Sequence, residues 1–95
     1  MKIIKDFILR DIAGETILVP TGSTAQEFNG LITVTETAKL IWQNIEKVDS
    51  AEELVDMILE EYEVEEEIAR RDVYGFVGAL VDNGFAEPSK EDGSW

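Results

Sequence analysis

The chain has neither cysteine nor histidine among its 95 residues. Without cysteine there is no disulfide and no thiol nucleophile, and without histidine the commonest general base near neutral pH is missing. The same absences remove most transition-metal ligand sets and leave only carboxylates. Pairs such as Glu60 with Glu61, or Glu63 with Glu66, could hold a hard cation weakly, but no D-x-[DN]-x-[DN]-G loop is present to wrap calcium. The glycines are scattered and form neither a P-loop nor a G-x-G-x-x-G fingerprint. The chain is therefore expected to be non-catalytic, with no catalytic, cofactor-binding or metal-binding residues.

Basic residues are also scarce: 8 Lys and Arg against 21 Asp and Glu give a net charge of −13. Such a surface repels phosphate backbones and anionic head groups. Much of the charge is local, since eleven acids lie between Glu46 and Glu67 against Lys47 as the one base, a local charge of −10. That stretch reads as a solvated helical face, with a docking surface for a basic partner as the alternative. No run approaches the roughly 18 apolar residues of a membrane span. Lys2, Lys5, Asp6, Arg10 and Asp11 interrupt the start of the chain, so it lacks the apolar core of a signal peptide. A soluble cytoplasmic protein is expected.

What is present suffices for one compact core. Apolar residues make up 44% of the chain and are spread through its first 85 positions, which suggests one domain over residues 1–88 with a disordered tail over 89–95. The first third reads as strand. Phe7 to Ile12 and Thr16 to Val19 are rich in β-branched and apolar residues, and Ala13-Gly14-Glu15 between them supplies a turn. Pro20 ends the second strand, or confines it to a position where its missing N–H does no harm, and Thr21 to Gln26 is loop by composition. After Asn29-Gly30 comes a third strand, Leu31-Ile32-Thr33-Val34-Thr35.

From Thr35 the apolar period lengthens to that of a helix, with Ala38, Ile41, Trp42, Ile45 and Val48 on one stripe and Thr35 or Thr37 as N-cap. Ile41 and Trp42 read as core anchors. Ser50-Ala51-Glu52-Glu53 is a capping box, so a second helix spans roughly Ala51 to Tyr62. A third starts in Glu65-Glu66-Glu67, carries Ala69, Val73, Phe76, Val77 and Leu80, and ends at Gly84 as a left-handed C-cap with Phe85 as its apolar contact; Phe85-Ala86-Glu87-Pro88 reads as a short strand or as a segment packing back. Three strands segregated from three helices make an α+β domain, a small antiparallel sheet over a helical cluster. Its open edge is best placed on Leu31 to Thr35, because Pro20 and the charged first strand disfavour the other side.

Several stretches then fall into one pattern: Leu9-Arg10, Ile17-Leu18-Val19-Pro20, Asn29-Gly30 through Thr35-Glu36-Thr37-Ala38, Ile41-Trp42, Glu53-Leu54-Val55, and Asp72-Val73 with Phe76 and Leu80. In this order they resemble the PqqD-like RiPP recognition elements, over about Phe7 to Phe85. The resemblance implies a winged-helix-like fold, with a three-stranded antiparallel sheet followed by three helices. It also implies a peptide chaperone in the biosynthesis of ribosomally made, modified peptides or of a quinone cofactor. Such proteins bind a precursor's leader peptide as an added strand, and present the precursor to a radical SAM protein, a leader peptidase or a cyclase. The length of the chain suggests the stand-alone kind.

Carried onto this sequence, the resemblance makes Leu31, Ile32, Thr33 and Val34 the peptide-binding edge, with the third helix as the opposite wall. Counting about 100° per residue from Val73 points Ala69, Phe76 and Leu80 toward the core and sets Arg70, Tyr74, Val77, Gly78 and Val81 on one flank, the candidate groove. Gly78 is costly in a helix interior, which suggests close backbone approach by a peptide or strand there, with packing of Gly78 and Val81 on the protein's own sheet as the alternative. The alternative is a winged-helix DNA-binding regulator. It is disfavoured because Arg70 and Arg71 stand among Glu65, Glu66, Glu67, Asp72 and Asp82.

Overall fold

The computed structural model describes residues 1–28, 30–89 and 95. Its element order is β1 (Lys2–Ile3), β2 (Phe7–Ile12), β3 (Glu15–Pro20), α1 (Gly22–Glu27), β4 (Ile32–Val34), α2 (Glu36–Asn44), α3 (Ala51–Glu61), α4 (Glu66–Asp82) and β5 (Ala86–Glu87). The expected hairpin, third strand and three long helices are all present. The main sheet is antiparallel with order β2-β3-β4, and its register pairs Leu9 with Leu18 and Leu18 in turn with Ile32.

The helix boundaries follow from the caps. Thr35 holds extended dihedrals, and its Oγ1 accepts a hydrogen bond from the Ala38 N–H at 3.1 Å, satisfying a donor that the first turn leaves open. Ser50 does the same for Glu53 at 3.4 Å, while the Glu53 carboxylate accepts from the Asp49 N–H. At the end of α4, Gly84 takes φ +75°, the Gly84 N–H donates to the Val81 carbonyl and the Phe85 N–H to the Leu80 carbonyl at 2.8 Å. These two bonds are those of a Schellman cap.

Two elements, α1 and β1, are additional to the sequence reading. The segment after Pro20, loop by composition, contains the short helix α1. Tertiary bonds hold it there: Thr24 is buried and its Oγ1 accepts from the Asp6 N–H at 2.8 Å, and the Thr21 N–H donates to the Asp6 carbonyl. Second, β1 pairs with β5, which takes the short-strand alternative at Phe85 to Pro88, in a separate two-stranded ladder with Ile3 opposite Ala86, tying the start of the chain to the end of α4. The residues expected to form a tail fall mostly on 90–94, outside the described residues. Of the others, Trp95 donates its indole N–H to the Val48 carbonyl at 2.9 Å, and the Ser89 N–H donates to the Trp95 carbonyl.

The core has two parts. The larger joins α2, α3 and α4 through Ile41, Ile45, Leu54, Val55, Ile58, Val73 and their neighbours. A smaller one lies under the sheet around Leu18, Val34 and Ala38. Trp42 and Phe76 pack against both, so helices and sheet are fixed to each other by two aromatic side chains. Phe7 extends this joint by meeting Trp42, Phe28 and Phe85 edge-on, at centroid distances of 5.9, 6.1 and 4.9 Å. This joint positions the outer strand of the sheet against α4.

Candidate functional site

β4 ends the strand order, so one of its edges has no strand partner among the described residues. Beside it lies a cleft of about 390 Å3. Thr33 and Val34 of β4, with the start of α2, form one wall; Arg71, Asp72, Gly75, Phe76 and Ala79 of α4 form the other. The sequence builds this opening in a simple way. Val34 and Ala38 pack downward with Leu18, Phe76 closes the floor from α4, and Gly75 and Ala79, one turn apart, keep the helix surface low. A Cβ built on Gly75 meets nothing within 4 Å, so the low surface borders open space.

An exposed strand edge carries N–H and C=O groups that pair with any extended chain laid along it. Here the edge stands next to an apolar floor and a helix wall, and such an arrangement gives an incoming strand both backbone pairing and side-chain contacts. Above the floor, Arg71 is the cationic group of the cleft. Its Nε lies 3.8 Å from Asp72 Oδ1, and its side chain is 76% exposed.

The strand half of the sequence reading lands on this cleft and the helix half does not. Thr33 and Val34 line it, Ile32 lies in β4 opposite Leu18, and Leu31 stands exposed just before the strand. None of Arg70, Tyr74, Val77, Gly78 or Val81 lines the cleft. Val77 is buried in the helical core at 8% exposure. Arg70 and Tyr74 turn toward α3, where both donate to the Glu52 carboxylate, the tyrosine hydroxyl at 2.8 Å. These two bonds hold the Glu52 carboxyl below its usual range, while the same hydrogen bond raises the Tyr74 hydroxyl. A Cβ placed on Gly78 would likewise meet nothing within 4 Å, so close approach within the chain does not account for this glycine.

The placement of the helix residues has a simple geometric cause. A helical wheel centred on Val73 fixes the core direction but is symmetric about it, and the flank facing β4 is the opposite one, carrying Arg71, Asp72, Gly75 and Ala79. The small pair Gly75 and Ala79, at a spacing of four, was the available signal.

A larger cavity of about 680 Å3 lies elsewhere, between the β2–β3 turn, α2 and the end of α3, and holds none of the expected site residues. At its rim the Thr16 hydroxyl, bonded at 2.7 Å, and Lys39 at 3.6 Å hold the Asp11 carboxyl below its usual range. Among the described residues no three potential metal-ligating side chains cluster, and no helix is long and apolar enough to cross a membrane.

The family model for coenzyme PQQ synthesis protein D (PqqD) matches residues 15–86. The chain belongs to the PqqD family. The matched span runs from β3 to β5 and contains both walls of the cleft. Two solved structures are similar in fold. One is TbiB1 in complex with the TbiA(β) leader peptide, 25% identical, with a TM-score of 0.66 over 96% of this chain and 100% of that one. The other is a lasso peptide synthetase B1 complexed with the leader peptide, also 25% identical, with a TM-score of 0.66 over 92% of this chain and 96% of that one. Comparison with curated proteins gave no match. The winged-helix-like α+β reading thus holds, and the family and these neighbours lend nothing to the DNA-binding alternative.

Proposed function

We propose that this chain binds the leader segment of a ribosomally synthesised precursor as an added strand on the free edge of β4. It then presents the precursor to a modifying enzyme, such as a radical SAM protein, a leader peptidase or a cyclase, without itself being a catalyst. The observation that carries this reading is the edge of Ile32–Val34, which has no strand partner among the described residues, beside a cleft walled by α4. Likeness over nearly the whole chain to two proteins described with leader peptides bound supports it. Because precursor synthesis is ribosomal, the cytoplasm is the proposed setting.

Physically, backbone pairing to β4 supplies affinity that is insensitive to sequence, and side chains of the added strand reaching the α4 wall supply selectivity. DNA binding fares worse on the same surface. Arg70 is engaged by Glu52 and Glu66, which leaves Arg71 among Glu67, Asp72 and Asp82 on α4, with Glu65 at its N-cap.

A matched pair of glycine variants tests the reading. Gly75→Leu places a side chain in the cleft, Gly78→Leu places one off it, and both raise helix propensity by about 1 kcal/mol. With a leader peptide from a precursor encoded beside this chain, Gly75→Leu should weaken binding by about tenfold or more, roughly 1.4 kcal/mol, and Gly78→Leu should leave it unchanged. Equal effects of the two variants would overturn the assignment.

A further inference from the structure

α4 carries two adjacent arginines in opposite electrostatic situations. The Arg70 guanidinium is engaged by Glu52 and lies 3.8 Å from Glu66, and it faces away from the cleft. Arg71 lines the cleft, has Asp72 as its ion-pair partner through Nε alone, and among the described residues its remaining guanidinium N–H groups have no partner. In a chain of net charge −13, an arginine whose terminal guanidinium nitrogens have no partner among the described residues thus stands beside the strand edge. A planar fork of this kind is suited to a carboxylate, which it can hold through two parallel charge-assisted bonds.

The wall beyond it is apolar and low. Arg71, Gly75 and Ala79 succeed one another at one-turn steps of about 6 Å along α4. Side chains on one face of an extended strand repeat every two residues, about 6.7 Å. The two repeats nearly match.

Resting on the leader-binding reading above, we infer that the segment seated in the cleft carries an acidic side chain held by Arg71 and, two residues away on the same face, an apolar side chain over Gly75 and Ala79. Asp72 does not favour the opposite choice of a basic residue. Its carboxylate already faces Arg71, and its side chain is less exposed, at 35%, than that of Arg71 at 76%. The overall negative charge of the protein would slow the encounter with an acidic leader, so the preference must come from the contact itself.

The test is selection of displayed random short peptides on the full chain and on Arg71→Glu, a variant of an exposed side chain whose fold is checked by circular dichroism. On the wild type, bound peptides should be enriched in Asp or Glu spaced two residues from Leu, Ile, Val or Phe. On Arg71→Glu the acidic preference should give way to Lys or Arg, and a wild-type-selected peptide should bind at least about tenfold more weakly. Peptides that bind, compete with one another and are blocked by Gly75→Leu, yet show no acidic preference or keep it in Arg71→Glu, would overturn this inference and leave strand addition standing. Peptides that bind equally well to Gly75→Leu would overturn both.

Discussion

Thr33 and Gly75 line the same cavity, one from the last strand of the sheet and one from the longest helix. Forty-two positions separate them in the sequence, and they meet because Phe76, next to Gly75, packs into both core clusters while Val34, next to Thr33, is buried with Leu18. The cleft is therefore an outcome of core packing, and its geometry depends on residues that do not line it.

Leu18 is the central residue of that support, fully buried in the middle strand and paired on one side with Leu9 and on the other with Ile32. Leu18→Ala removes buried methyl groups and leaves a cavity, for a loss of about 2 to 5 kcal/mol. Urea denaturation should show a lower midpoint at an unchanged slope. A loss below about 1 kcal/mol would mean that the sheet collapses around the site or is not packed as described.

The end of α4 offers a test of backbone strain alone. Gly84 has φ +75°, and a Cβ there would meet nothing within 4 Å. Gly84→Ala should therefore destabilise by about 1 to 2 kcal/mol through the left-handed conformation and not through a clash. Gly84→Asn, which tolerates that region better, should recover part of the loss in thermal unfolding.

Glu52 links stability to pH. Its carboxyl is held below its usual range first by the Arg70 hydrogen bond and then by that of Tyr74. A carboxyl depressed on folding contributes stability that is present above its unfolded value, about 4.3, and lost as pH falls through the folded one. Glu52→Gln should flatten the fall in melting temperature below pH about 5 and reduce stability at neutral pH. The effect should be small, since the side chain is half exposed. Leader affinity should not change, because Glu52 lies on the flank of α4 away from the cleft; a loss of binding equal to that of Gly75→Leu would put the site on the wrong side of the helix.

The features visible in the sequence were those set by neighbours in the chain. The Ser50 to Glu53 cap, the Thr35 cap, the Gly84 stop and the two apolar periods are local, and the hairpin, third strand and long helices appear where those signals place them. Pairing of Lys2–Ile3 with Ala86–Glu87 joins opposite ends of the chain through two residues each, too few for any periodicity to reveal. Helix α1 depends on a hydroxyl of Thr24 meeting the backbone of Asp6, again a contact that composition does not contain. At the site, Pro20 and the charged first strand pointed to an edge at Leu31 to Thr35, while the helix wall required knowing on which side of α4 the sheet lies. That handedness comes from the tertiary joint at Trp42 and Phe76, and a wheel drawn for one helix does not include it.

Strand addition at β4 is most directly tested by amide hydrogen exchange, followed by NMR on the full chain with and without a saturating leader peptide. Outward-facing amides within Ile32–Val34 should exchange more slowly in the complex, and the signals of Arg71, Gly75 and Ala79 should shift while those of Arg70 and Tyr74 stay in place. Unchanged exchange along β4 in a chain shown to be saturated with peptide would contradict the account.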